Sequence, residues 1–153
     1  MSEPEPPVLQ DEVVLALEGD PAPARTARHF VLEQGLPMGN PDLLEAAGLV
    51  VTELVTNATL HTPGVVALRV GRAEGGLCVS VEDLSTVRPR LHRRSDHATT
   101  GRGMQLASAY AQRWGVRPLS AGKQVWAVLT PASVAAALAV PAPVVDPSVW
   151  GVL

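Results

Sequence analysis

Val50-Val-Thr-Glu-Leu-Val-Thr-Asn57-Ala-Thr-Leu-His61 is the stretch on which the reading of this chain turns. Steps of four place Glu53, Asn57 and His61 along one side of a helix. A carboxylate, an amide oxygen and an imidazole in a row are able to hold a metal ion or activate a hydroxyl. Polar residues at that spacing also make an ordinary solvated stripe, so the meaning of the row depends on what the chain sets around it.

Just upstream, Asn40-Pro41-Asp42 offers an N-cap followed by proline at the first helical position, which predicts a long helix from Pro41 to about Leu60. Its expected apolar stripe is Leu44, Ala47, Val51, Val55 and Ala58. Glu53 then faces away from the main core, with Asn57 and His61 turning toward the flank. Before this helix, Val13 to Leu17 reads as a strand bounded by Gly19-Asp20-Pro21, and Ala22 to Gln34 as a helix with Ala27, Phe30 and Val31 on one side, ended by Gly35. After it, Thr62-Pro63-Gly64 breaks the helical pattern, and Val65 to Val70 and Leu77 to Val81 predict a hairpin around the turn-rich Gly71 to Gly76.

Leu84 to Ala98 has no apolar periodicity, carries Arg88, Arg90, Arg93 and Arg94, and reads as a mobile loop. A helix is expected from Met104 to Arg113, then strands Trp114 to Leu119 and Lys123 to Thr130 across a Ser-Ala-Gly turn. The expected architecture is α+β, a two-layer α/β sandwich. Its sheet is mixed, mainly antiparallel, has about five strands and is covered on one face by about three helices.

A length of 153 residues suits one domain. Acidic, proline-rich residues 1–10 read as a flexible N-terminal tail, 11–131 as the domain, and 132–153 as an apolar Pro/Ala-rich C-terminal tail with a short helix at Ser133 to Val140. The net charge of −3 and the lack of a basic helix or aromatic-interleaved basic patch speak against nucleic acid as a partner. Cys78 is the single cysteine, which leaves no disulfide framework or thiolate metal site. Without a signal-like N-terminus or an apolar stretch of spanning length, the chain is expected to be cytoplasmic and to make no use of a membrane.

Two further landmarks bear on the helix row. Asp83 closes an apolar strand, where a carboxylate either forms a turn or accepts a hydrogen bond from an exocyclic amine such as that of adenine. Gly101-Arg-Gly103 stands at a helix mouth, where backbone amides approach an anion or simply make a turn.

In this order, the landmarks make the chain resemble the GHKL ATPases of the Bergerat fold, specifically the small anti-sigma-factor serine/threonine kinases of high-GC bacteria. The resemblance covers about Val13 to Thr130. The opening stretch is similar to the family's N box, Val81-Glu-Asp83 to its G1 box and Thr100-Gly-Arg-Gly-Met-Gln-Leu106 to its G2 box, with Arg113-Trp-Gly115 and Gly122-Lys-Gln-Val-Trp126 as further matches. It implies ATP and Mg²⁺ as cofactors. Glu53 would be the general base, Asn57 the Mg²⁺ ligand and Asp83 the acceptor for the adenine amine. Gly101 and Gly103 would cradle phosphate, and His61 would shape the helix end. Ala58, Ser85, Thr100, Arg102 and Met104 complete the implied nucleotide contacts, with Arg93 and Arg94 as lid candidates.

The implied activity is transfer of the ATP γ-phosphate to a serine of a STAS-type anti-sigma antagonist, sequestration of a sigma factor, or both, and relatives of this type often form homodimers. One departure from the family stands out. Its G1 glycines two and four residues after the aspartate are here Ser85 and Val87, so local backbone freedom is lost. The alternative expectation is therefore a non-catalytic nucleotide-binding or protein-interaction module with a degenerate ATP site.

Overall fold

The computed structural model describes residues 4–38, 40–60, 64–84 and 105–139. Five strands form one sheet in the order β1-β2-β3-β5-β4: β1 (Gln10–Ala16), β2 (Val65–Ala73), β3 (Gly76–Asp83), β4 (Arg113–Leu119) and β5 (Gly122–Leu129). Every neighbouring pair is antiparallel. The helices are α1 (Pro23–Gly35), α2 (Pro41–Leu60), α3 (residues 105–110) and α4 (Pro131–Ala139), with a single 3₁₀ turn at Leu36–Met38. The α+β sandwich expected from the sequence is the fold, with all-antiparallel pairing, and the short helix expected at Ser133 to Val140 is α4 at Pro131–Ala139.

Strand alternation divides the side chains into two sets. Leu77, Val79 and Val81 of β3 and Val125, Ala127 and Leu129 of β5 join Leu68 and Val70 of β2 in the main core. They meet α2, whose buried residues span Leu43 to Ala58. Cys78, Trp126, Val128 and Ala73 form a smaller cluster on the sheet's other face. Leu9 packs on that cluster, so part of the segment read as a tail lies against the fold.

α2 begins as its sequence dictates. Asn40 Oδ1 accepts the Leu43 N–H at 3.0 Å, and Pro41 occupies the first turn, where no donor is needed. Burial then covers more than half of its circumference, because α1 packs on one flank and the sheet beneath. By length and composition α2 passes for a membrane span, with a mean hydropathy of 1.3, contrary to the expectation that no stretch would. The reason is its place as the central helix, where apolar residues on several sides are buried among other elements.

Several expected boundaries shift. β2 and β3 run on through Gly71-Arg-Ala73 to a two-residue turn at Glu74-Gly75, where both residues have positive φ, as the twist of a tight hairpin requires. The helix expected to reach Arg113 ends at residue 110, and Arg113 instead opens β4. α4 starts at Pro131 with a reciprocal cap: Thr130 N–H donates to Ser133 Oγ at 2.9 Å, and Ser133 N–H to Thr130 Oγ1 at 3.0 Å. Ser133 Oγ also donates to the Tyr110 carbonyl at 2.7 Å, tying α4 to the end of α3. Val134 thereby enters the main core.

Candidate functional site

Of the residues singled out in the sequence, Glu53, Asn57, Ala58 and Asp83 fall among those described. His61, Ser85, Val87, Thr100, Gly101, Arg102, Gly103 and Met104, with the arginine-bearing loop, lie outside them.

The helix row is not uniform. Glu53 is half-buried, whereas Asn57 is buried, which corrects the expectation that the row faces away from the core; Ala58 is buried as its place in the apolar stripe predicts. At 100° per residue the buried arc of α2 runs from Ala46 through Val50, Leu54 and Ala47 to Val51, Val55 and Gly48. Asn57 falls inside this arc near Ala46 and Val50, and Glu53 sits on its rim. Leu43 is fully buried in place of Leu44 as the first residue of the stripe. Ala46 and Leu49, on the same side of α2, line a cleft with Tyr110, Val134 and Leu138. Glu53 and Asn57 lie one to three turns further along, so α4 covers the early part of that side.

Asn57 is unusual chemically. Both its Oδ1 and its Nδ2 are buried, and neither has a hydrogen-bond partner among the described residues. An amide left so costs the fold about 1–3 kcal/mol per unmet group, a cost that a ligand in the site would relieve. The neighbouring threonines do not help. Thr52 and Thr56 donate their hydroxyls to the carbonyls of Gly48 and Thr52 at 2.7 Å, within the helix.

Asp83 reaches the same end of the molecule by a short route. Gly64 follows the end of α2 by four residues, and its carbonyl accepts the Leu84 N–H at 3.3 Å, while Val65 stands opposite Asp83 in the β2–β3 ladder. Four residues span at most about 14 Å. The last turn of α2, with Asn57, and the end of β3, with Asp83, therefore lie close together. By alternation from Leu77, Val79 and Val81, Asp83 points to the helix side of the sheet.

Asp83 is 2% exposed and ion-paired: Lys123 Nζ lies 2.9 Å from its Oδ1. Lys123 is the cross-strand partner of Asp83 in the β3–β5 register and is itself buried. The residue before it makes this pairing possible. Gly122 has φ of +116°, and a Cβ there would lie 1.9 Å from the Asp83 carbonyl oxygen. Lys123 is the residue that sequence reasoning missed. Its signal was the alternation of β5, legible only once β5 is known to pair with β3, a strand 40 residues away.

Oxygen chemistry suits what is present. A Mg²⁺ carried on phosphates asks the protein for one or two oxygen donors, and Asn57 Oδ1 is a buried, uncommitted donor of that kind. Asp83 is an acceptor for an amine, though one already shared with Lys123. Comparison with protein-family models and with curated proteins finds no match for this chain.

Proposed function

We propose that this chain is an ATP-binding regulatory protein of the anti-sigma-factor type, a serine/threonine kinase acting on a STAS-type antagonist, sequestering a sigma factor, or both. The observation that carries the reading is Asn57, a buried amide with both ends unpartnered among the described residues, one turn before the end of α2, from which four residues lead to Gly64 beside the Asp83 end of β3. When bound, Mg-ATP would supply a transferable γ-phosphoryl group. Asn57 Oδ1 would hold the metal, and Asp83 would accept the adenine amine. Glu53, on the rim of the buried arc and open to solvent on one side, is suited to take the proton from an incoming serine hydroxyl. Lys123 would hold the Asp83 carboxylate in place until the amine shares it.

The test is incubation of the full chain with labelled ATP, Mg²⁺ and a STAS-type antagonist. Label should pass to the antagonist, and Glu53→Ala should abolish transfer while nucleotide binding by calorimetry persists. Absence of transfer to any antagonist defeats the kinase reading.

One observation favours a second reading, a non-catalytic module. Asp83 is already neutralised by Lys123 at 2.9 Å, so an adenine amine competes with a charged donor for it. Titration with Mg-ATP and Mg-ADP separates the two. Binding of both nucleotides without turnover supports the module, and no binding of either removes the site.

A further inference from the structure

The sheet face opposite the helices carries a groove of about 410 Å³ between residues 6–9 and a floor that includes Cys78, Ser80, Gln124 and Trp126. Residues 4–9 cross that face. Gln10 starts edge strand β1, Leu9 packs on Ala73, Cys78, Trp126 and Val128, and the Glu5 carbonyl accepts from Arg113 Nη1 of the opposite edge strand at 3.0 Å. Six residues in polyproline II geometry advance about 19 Å, and four inter-strand gaps amount to about 19 Å. Pro4, Pro6 and Pro7 favour that geometry, so the segment's length and composition match the width of the sheet.

The floor is built to receive it. A Cβ on Gly115 would lie 2.7 Å from Trp126 Cζ2 and 3.0 Å from Pro4 Cγ, so the glycine lets the indole and the proline meet over β4. Arg113 stacks on the same indole, 5.1 Å from its centroid. Pro6, Pro7 and Leu9 are half-buried while Val8 turns outward, 92% exposed. Trp126 is fully buried, yet its Nε1–H has no acceptor. A buried tryptophan N–H usually finds a hydrogen-bond partner, and among the described residues, those of the segment included, this one has none. The segment in place is an incomplete ligand. The groove's charged lining is neutral overall, but Arg69 is taken up by Glu12 and Glu82, whereas Arg117 makes no ion pair among the described residues and is the one lining cation that a carboxylate of the occupant would meet.

We propose that this face is a docking groove for an acidic, proline-rich segment of a partner protein, held closed in the resting chain by residues 4–9. The partner's segment enters by displacing them and supplies the carbonyl that Trp126 Nε1 lacks. This surface is separate from the Glu53–Asn57–Asp83 end and stands whether or not nucleotide binds there.

A tethered segment acts at an effective concentration on the order of mM, so a free peptide competes poorly until the tether is weakened. The experiment uses the full chain with Leu9→Ser and two peptides, Pro-Glu-Pro-Pro-Val-Leu-Gln, the sequence of residues 4–10, and the more acidic Glu-Pro-Glu-Pro-Glu-Pro-Glu as the stand-in for a partner's segment. Leu9→Ser should raise the labelling rate of Cys78 by a thiol reagent about tenfold or more, with amide exchange in α2 unchanged. Either peptide should restore protection of Cys78, but only the acidic one should move the Trp126 indole N–H resonance downfield of its position in the wild-type chain, the assignment coming from Trp126→Phe. A peptide with alanine at its three prolines should do neither. Unchanged labelling in Leu9→Ser, faster labelling with faster exchange in α2, an indole resonance that ignores the acidic peptide, or equal effects from the alanine peptide would each overturn the proposal.

Discussion

Lys123 and Asp83 face each other across the β3–β5 ladder, and their side chains close to 2.9 Å with 9% and 2% of their surfaces exposed. The pair is buried at the end of the sheet that lies near the last turn of α2. A buried pair of this kind holds geometry more than it adds stability, because each charge loses its hydration in entering the core. Its consequence for function is that Asp83 is fixed in one place, pointing to the helix side, before any ligand arrives.

Removing one partner should therefore be worse than removing both. Lys123→Met is expected to lower stability by roughly 3–5 kcal/mol, read from urea denaturation, because Asp83 is left as a buried charge without its cation. Lys123→Met with Asp83→Leu should recover a large part of that loss. In the single mutant the carboxylate loses its competitor, so any nucleotide affinity should rise relative to the fraction folded. A loss under 1 kcal/mol would show the pair to be solvated in solution.

Asn57 offers the opposite trade. Its amide carries a burial cost with no bond in return. Asn57→Leu, of similar volume, should stabilise the fold by about 1–2 kcal/mol while abolishing Mg-nucleotide binding. Thermal unfolding and calorimetric titration of the same sample measure both. Destabilisation by Asn57→Leu would mean that the amide is satisfied in solution and would remove the main support for the site.

How far the sequence led can be judged from these residues. The α2 cap at Asn40-Pro41 and the alternation of β3 are local patterns, and both were legible, as was the two-layer fold they imply. Which side of α2 is buried was not. Periodicity alone assumes one buried stripe, whereas α1, the sheet and α4 enclose this helix on several sides, so Asn57 was placed at the flank. Lys123 was invisible for a different reason, since its partner depends on a non-sequential strand pairing. The reciprocal cap of Thr130 and Ser133 is a local pattern too, but Pro131 between its two members equally marks the end of β5, and only the fold shows that a helix starts there.

Gly122 couples backbone strain to the site. Its φ of +116° is one that side-chain-bearing residues rarely adopt, and a Cβ would press on the Asp83 carbonyl. Gly122→Ala should cost roughly 2–4 kcal/mol and displace the end of β3 from β5. Nucleotide affinity should then fall even though no proposed ligand contact is altered. Crystallography or amide exchange at Asp83 and Leu84 would locate the disturbance, and an unchanged exchange pattern would disconnect the glycine from the site.

Cys78 supplies a pH test of the face beneath residues 4–9. Burial, ahead of the field of Glu74, pushes its thiol up to about 12 from an ordinary value of 9.0. Below pH 9 the thiol is neutral in both folded and unfolded chains, so its contribution to stability is constant. Between pH 9 and 12 the unfolded chain releases the proton and the folded chain keeps it, so stability falls as pH rises, by at most about 1.4 kcal/mol per pH unit. Cys78→Ala removes this dependence. The urea-derived stability difference between wild type and Cys78→Ala should accordingly shift against wild type by about 1–2 kcal/mol from pH 9 to pH 10.5. Parallel curves over that range would mean that the thiol is open to solvent, and with it the floor of the groove.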